Sequence, residues 1–376
     1  MMQGRGRKAG AGHMDDVRDR YRNLHEFIPV ARNKLDRNVW DYLVGGSETE
    51  TTVRRNRHAI ESIAFRPRVL RNVASTDCSG TFIGHKLKIP VVLAPVGSLE
   101  RFDPGACATV ADAVGEFGCG MFQSSVAKPE IEETGKHGKN ALKIFQLYVR
   151  GDHAWVENFF DRAVNAGFNA LCLTVDTHHY SRRERDISKR YRAASGRTVE
   201  QSGFQAGLDW AQFDKLKKRY KLPMVIKGIA TAEDARLAVE HGVDVIHVSN
   251  HGGRQLDHGL GALDVLPEIA AEVKGRAEII IDGGFCRGTD IVKAIALGAN
   301  AVCIGRLYCL GLTCAGKNGV IRVLELLLDE MECALSLLGV NKLTELDPSY
   351  VCRAPSVTVP HVFSAFPFAE QPDNRY

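Results

Sequence analysis

A chain of 376 residues with a net charge of +4 can bury a substantial core, and that charge is too small to imply a nucleic-acid surface. Its 10 cysteines lack the paired-doublet spacing of a zinc site. Several of them, such as Cys172 and Cys303, sit in apolar runs, which favours a reducing, cytoplasmic setting and no metal over a disulfide scaffold.

Residues 1–14 are rich in Gly and basic residues and lack the apolar stretch of a signal peptide, so they read as a disordered extension. No apolar run reaches the length of about 18 residues that suggests a membrane span. The segment 15–87 reads as helices followed by an extended stretch at Ile63–Leu70. From residue 88 the pattern changes, and short β-branched runs alternate with amphipathic ones. The strand-like runs are Pro90–Ala94, Cys119–Gln123, Lys143–Tyr148, Ala170–Val175, Met224–Lys227, Val243–Ser249, Glu278–Asp282 and Ala301–Ile304. Helical patterns lie between them, for example Ala154–Ala166, Ala232–His241 and Asp290–Leu297. Eight such units close a (β/α)8 TIM barrel, an α/β fold that takes about 250 residues, here 88–345. A long polar stretch after the fourth strand, Ile187–Leu208, reads as a lid or a disordered loop, and a late helix at Trp210–Tyr220 follows it. The last barrel helix lies near Gly319–Leu338, and a Pro-rich tail, 346–376, wraps the surface. It ends in Asp373-Asn374-Arg375-Tyr376, which is not a peroxisomal address.

Chemistry in such barrels sits at the C-terminal ends of the strands. All eight runs here end on polar residues or glycine: Pro95-Val96-Gly97, Ser124, Gln146 with Tyr148, Thr174 with Asp176, Lys227, Ser249 to Arg254, Asp282-Gly283-Gly284, and Gly305-Arg306. Packing alone does not account for that. Glycines after strands seven and eight let backbone amides approach a phosphate, although βα turns are often glycine-rich in any case. Lys227 ends an apolar strand and needs a counter-charge. His251 can accept a proton near neutral pH, Arg254 offers a planar fork for a carboxylate, and Asp176 is placed to orient the imidazole.

The run Ser249-Asn250-His251-Gly252-Gly253-Arg254-Gln255-Leu256-Asp257 resembles the active-site signature of the FMN-dependent 2-hydroxy acid oxidases and dehydrogenases. The resemblance extends through Trp40-Asp41-Tyr42, Phe65-Arg66-Pro67-Arg68, Phe145-Gln146-Leu147-Tyr148, Leu173-Thr174-Val175-Asp176-Thr177, Arg182-Arg183-Glu184, Ile226-Lys227-Gly228, Asp282-Gly283-Gly284 and Ile304-Gly305-Arg306. It implies FMN as cofactor and a small 2-hydroxy acid as substrate, oxidised to the 2-oxo acid. His251 would be the base, paired with Asp176. Arg254 and Arg183, helped by Tyr42, would hold the substrate carboxylate, and Tyr148 would bond its hydroxyl. Lys227 would sit by the flavin N1–O2 edge. Pro95, Val96, Gly97, Ser124, Gln146, Thr174 and Ser249 would lie at the ring. Asp282, Gly283, Gly284, Arg287, Gly305 and Arg306 would line the cofactor's phosphate end. The electron acceptor is left open between oxygen, a quinone and a carrier protein, and a homotetramer or higher homo-oligomer is implied. Whether the base takes a carbon-bound proton or a hydroxyl proton with hydride transfer is also open.

Three departures from the family pattern stand out. Val126 replaces a tryptophan of the small-substrate oxidases, which should widen the pocket. The stretch from Arg183 to Lys227 is short. Cys286 replaces an arginine that grips the phosphate, and Arg287 is the candidate substitute. Two competing readings are an FMN barrel acting on a peptide-derived or other natural product, and a flavin-binding barrel without catalysis. A retained carboxylate clamp argues against the first.

Overall fold

The computed structural model describes residues 13–191 and 199–369. Its centre is a closed barrel of eight parallel strands: β1 (Val91–Leu93), β2 (Gly120–Ser124), β3 (Leu142–Leu147), β4 (Ala170–Thr174), β5 (Met224–Ile229), β6 (Val245–Val248), β7 (Glu278–Ile281) and β8 (Ala301–Ile304). Each strand pairs with its sequence neighbour, and β8 closes on β1 through Val302 opposite Val91. The sequence runs predict all eight, with ends shifted by one or two residues.

Strands buried on both faces read as nearly continuous apolar runs, and the period of two divides their side chains. Val92, Phe122, Ile144, Cys172, Val225, Val245, Ile280 and Cys303, one from each strand, form a separate apolar cluster. A hairpin of Gly80–Phe82 and His85–Leu87 adds Phe82 and Leu87 to it. Two residues further along each strand the same side points to Ala94, Ser124, Gln146, Thr174, Lys227, His247, Asp282 and Gly305. The barrel thus changes from apolar to polar within one side-chain repeat, and that change marks its functional end.

Before the barrel, helices Arg37–Val44 and Thr51–Glu61 lead into a strand, Ile63–Phe65, that pairs antiparallel with Val351–Arg353. Only three residues of the expected extended stretch are therefore strand. Tyr21 stacks on Phe27 at 4.2 Å between ring centres near the start of the described chain. The last barrel helix is longer than its sequence pattern indicates, Arg306–Leu338, with a break at Ala315 and Gly316.

The stretch Ile187–Leu208, expected as a loop after β4, contains a short helix, Val199–Ala206, and a second one, Glu184–Ser188, runs into its start. Residues 192–198 of it lie outside the described residues, as do residues 1–12 of the extension and the final residues from 370. Helix Val199–Ala206 is held by Gln205, which is buried. Its carbonyl accepts from Val149 N at 2.8 Å and its amide donates to the Thr174 carbonyl at 2.9 Å. A polar stretch thereby borrows its order from the ends of β3 and β4.

Candidate active site

An open cleft with an empty volume of about 1270 Å³ lies at the C-terminal end of the strands. Pro95, Val96 and Gly97 after β1, Tyr148 after β3, Lys227 on β5, Asp282, Gly283 and Gly284 after β7, and Gly305 and Arg306 after β8 line it. Tyr42, Arg183, His251 and Arg254 line it too. Ser124, Gln146, Thr174 and Ser249 are buried at the strand ends without forming its wall.

The β6 loop that carries His251 is bent sharply. His251, Gly252 and Gly253 all have positive φ, at 59°, 64° and 76°. Such a conformation costs a histidine roughly 1–2 kcal/mol. A Cβ on Gly253 would lie 2.6 Å from Val53 N, so only glycine fits there. The bend brings His251 Nδ1 to 3.1 and 3.2 Å from the two Asp176 oxygens, and Nε2 to 3.1 Å from Tyr148 Oη. Burial holds the imidazole below its ordinary value, while the Asp176 charge opposes the shift. It is therefore neutral at pH 7, with Nε2 facing the cleft beside Tyr148. Asp176 stays ionised despite its burial because His251 and Lys227 lower its pKa.

Two guanidiniums face Tyr42. Arg254 sits 4.8 Å from the centre of its ring and Arg183 5.9 Å. Arg254 Nη1 donates to the carbonyls of Tyr42 and Gly45, at 2.7 and 2.8 Å. Among the described residues the buried Arg183 Nε–H has no partner. Burial and the adjacent Arg183 pull Arg254 down to about 9, still protonated at neutral pH. The two half-buried cations lie side by side, one with an unused donor; Asp186 acts on both electrostatically, but among the described residues neither has an anion in ion-pair contact.

Deeper in, Lys227 Nζ lies 2.7 Å from Ser249 Oγ and 3.2 Å from Asp282 Oδ2. Ser249 donates to Asp282 Oδ1 at 2.7 Å. Burial works against both charges, yet each holds the other ionised. Gln146 donates to Thr174 Oγ1 at 2.8 Å, and its own carbonyl oxygen is buried with no partner among the described residues.

At the far end of the cleft the sequence reading needs correction. Arg287 does not line the cleft. Its Nε and Nη2 pair with Glu330 at 3.1 and 2.7 Å, and Nη1 donates to the Ala365 carbonyl at 3.1 Å. The amides of Cys286 and Arg287 are also spoken for, both donating to Asp290 Oδ2, at 2.9 and 3.1 Å. A cation in this region that the sequence reading missed is Arg57, on the helix before the barrel. It lines the cleft, and its Nη1 donates to the Gly284 carbonyl and to Asp290, each at 2.7 Å. Its signal was present, since Asn56 and Arg57 interrupt the apolar stripe of Val53 and Ile60 at helical spacing. Arg306 faces the cleft while donating to the carbonyls of Leu43, Gly45 and Gly252. Cys286 lines the same end, and burial pushes its thiol up to about 11, so it carries no charge at pH 7. The tail reaches this end as well, through Val362.

These features fit a flavin mononucleotide: an open cleft with a buried ammonium, Lys227, in its wall, the unpaired Gln146 oxygen at a strand end just behind that wall, and glycines with Arg57 and Arg306 that line the same cleft. The FMN-dependent dehydrogenase model matches residues 31–202 and 191–353. L-lactate oxidase of Nostoc sp. is 36% identical over 356 residues, covering 88% of this chain and 97% of that protein. Glycolate oxidase of Spinacia oleracea is 37% identical over 351 residues, covering 88% and 95%. Among solved structures, mandelate oxidase with (S)-2-phenylpropionate superposes with a TM-score of 0.83 at 34% identity, over 90% of this chain and all of that one. With fold and sequence agreeing over most of its length, the chain belongs to the FMN-dependent 2-hydroxy acid oxidase family.

Proposed function

We propose that the protein oxidises a 2-hydroxy acid to the 2-oxo acid with FMN, using His251 as base and Arg254 with Arg183 as carboxylate clamp. The observation that carries this reading is the chain Asp176–His251–Tyr148, set beside two guanidiniums that, among the described residues, have no anion in ion-pair contact. A carboxylate entering the cleft would supply that anion, which places its neighbouring carbinol toward His251 Nε2 and Tyr148 Oη. His251 is neutral and accepts the substrate proton at Nε2. Asp176 holds the Nδ1 proton and stabilises the imidazolium that forms. Tyr148, pushed up to about 12 by burial, keeps its proton and donates to the substrate oxygen. FMN, when bound, supplies the two-electron acceptor. Lys227 would stand at the ring edge, and Gly284, Gly305, Arg57 and Arg306 would hold the phosphate end.

The barrel's preformed clamp favours a free carboxylate substrate over a masked peptide-derived one. Anaerobic titration of the FMN-loaded protein with a panel of 2-hydroxy acids tests the reading. Bleaching of the flavin absorbance, with release of the matching 2-oxo acid, is expected. A yellow protein that no 2-hydroxy acid bleaches would refute it. Repeating the panel with oxygen and with an artificial dye then separates an oxidase from a dehydrogenase.

A further inference from the structure

His247 belongs to the polar positions that crown the barrel interior, and the chemistry above leaves it unused. It lies on β6, level with Lys227 of β5 and Ile280 of β7 in the strand registers, and is fully buried. Its ring sits 5.5 Å from that of Phe122. Nε2 stands 3.1 Å from Asp282 Oδ2, an electrostatic contact without hydrogen-bond alignment, and among the described residues neither ring nitrogen has a hydrogen-bond partner. Burial holds the imidazole below its ordinary value, so it is neutral. Of the two tautomers, the one with the proton on Nε2 turns an N–H dipole toward the carboxylate and leaves a lone pair on Nδ1. An orphaned buried polar atom destabilises the fold, because it gives up its water without gaining a partner. The Phe122 ring beside it is apolar, so an apolar residue of similar size would suit that contact. The polar ring is thus carried at a cost in stability, directly against the carboxylate that neutralises Lys227.

Asp282 Oδ2 is shared, since it faces Lys227 Nζ at 3.2 Å and His247 Nε2 at 3.1 Å. A donor on one side of a carboxylate oxygen weakens what the other side receives. We infer that His247 is a positioning residue that draws on Asp282 and so leaves the Lys227 ammonium more of its charge for the cofactor ring. This rests on the reading that FMN lies over Lys227. The effect grows when the ring becomes electron-rich, so His247 favours the reduced cofactor over the oxidised one. It should raise the flavin's midpoint potential while leaving the binding of oxidised FMN almost unchanged.

The test measures midpoint potential by dye equilibration, and the Kd of oxidised FMN, for wild type, His247→Leu, His247→Met and His247→Gln. Leucine and methionine remove the donor, and methionine adapts its shape if leucine does not fold. Glutamine restores a neutral donor. The two apolar variants are expected to reduce the equilibrium constant for two-electron reduction by about three- to tenfold, the latter being about 30 mV. Glutamine should recover at least half of that, and the oxidised-FMN Kd should stay within about twofold throughout. Potentials unmoved by His247→Leu or His247→Met overturn the inference and leave the proposed function standing. So does a glutamine variant that behaves like leucine, because packing alone would then explain the shift. A wild-type chain that takes up no FMN refutes both.

Discussion

Asp176→Asn isolates the charge behind His251. Both carboxylate oxygens lie within 3.2 Å of Nδ1, and neither side chain is more than 14% exposed. When His251 takes the substrate proton, a positive charge appears about 4 Å from the centre of that anion. At an effective dielectric constant of about 20 the attraction is about 4 kcal/mol. Asparagine keeps the volume and one acceptor, so its dipole retains part of this. A net loss of about 2–3 kcal/mol corresponds to reduction slower by about 30- to 160-fold. The figure is a lower bound, because an amide turned with its N–H toward Nδ1 would also favour the wrong tautomer. Asp176 does not line the cleft, so FMN content should not change. Anaerobic stopped-flow at saturating substrate reads the reduction rate directly. The acid limb should move too. Asp176 raises the His251 pKa, so its removal shifts the limb to lower pH. Reduction within threefold of wild type, with an unmoved limb, would refute the assignment of this pair.

In the wild type, kcat/KM should be flat through neutrality and fall only below the ordinary imidazole value of about 6.5, because burial lowers His251. A limb centred above that value would name another group as the base. Arg254→Lys should raise KM far more than the FMN Kd, since lysine loses the planar fork and its two carbonyl contacts; unchanged saturation by a 2-hydroxy acid would misassign the clamp. Cys286→Arg should tighten FMN by roughly ten- to a hundredfold, the worth of one charge-assisted bond at about 1.5–3 kcal/mol. With Arg287 turned to Glu330, equal Kd values in titrations of the apoproteins would mean that Arg57 or Arg306 already supplies the charge. Val126 and Tyr180 both line the cleft, and the protein should prefer mandelate or a longer aliphatic acid over glycolate, by about 0.8 kcal/mol for each added buried methylene. Glycolate turned over as well as or better than these would contradict the wide pocket.

The barrel was legible because its strands carry their own signature. Each is a short apolar run bounded by turns, and eight such runs with intervening helical patterns admit few other closures. The local motif around His251 was legible for a similar reason. A histidine and an arginine within one glycine-rich turn share a neighbourhood whatever the rest of the chain does, and the strand-end rule places Lys227, Asp176 and Tyr148 on the same side. Even His247 stood in the period-two pattern, two residues before Ser249, hidden by the apolar run around it.

What the tertiary structure alone decided lies where a residue's direction depends on a distant partner. Cys286 and Arg287 are adjacent, and no local rule says which faces the cleft. Glu330, more than forty positions along the chain, supplies the carboxylate that turns Arg287 away, and Asp290 takes the amides between them. Arg57 comes from a helix outside the barrel and reaches the Gly284 carbonyl across more than two hundred residues. Helix Val199–Ala206 has little sequence signal of its own and depends on Gln205 meeting Val149 and Thr174. Local periodicity fixes which face of an element is buried, because it is set by bonded geometry. The choice of partner for a long polar side chain is set by charges and carbonyls that become neighbours only when the barrel closes.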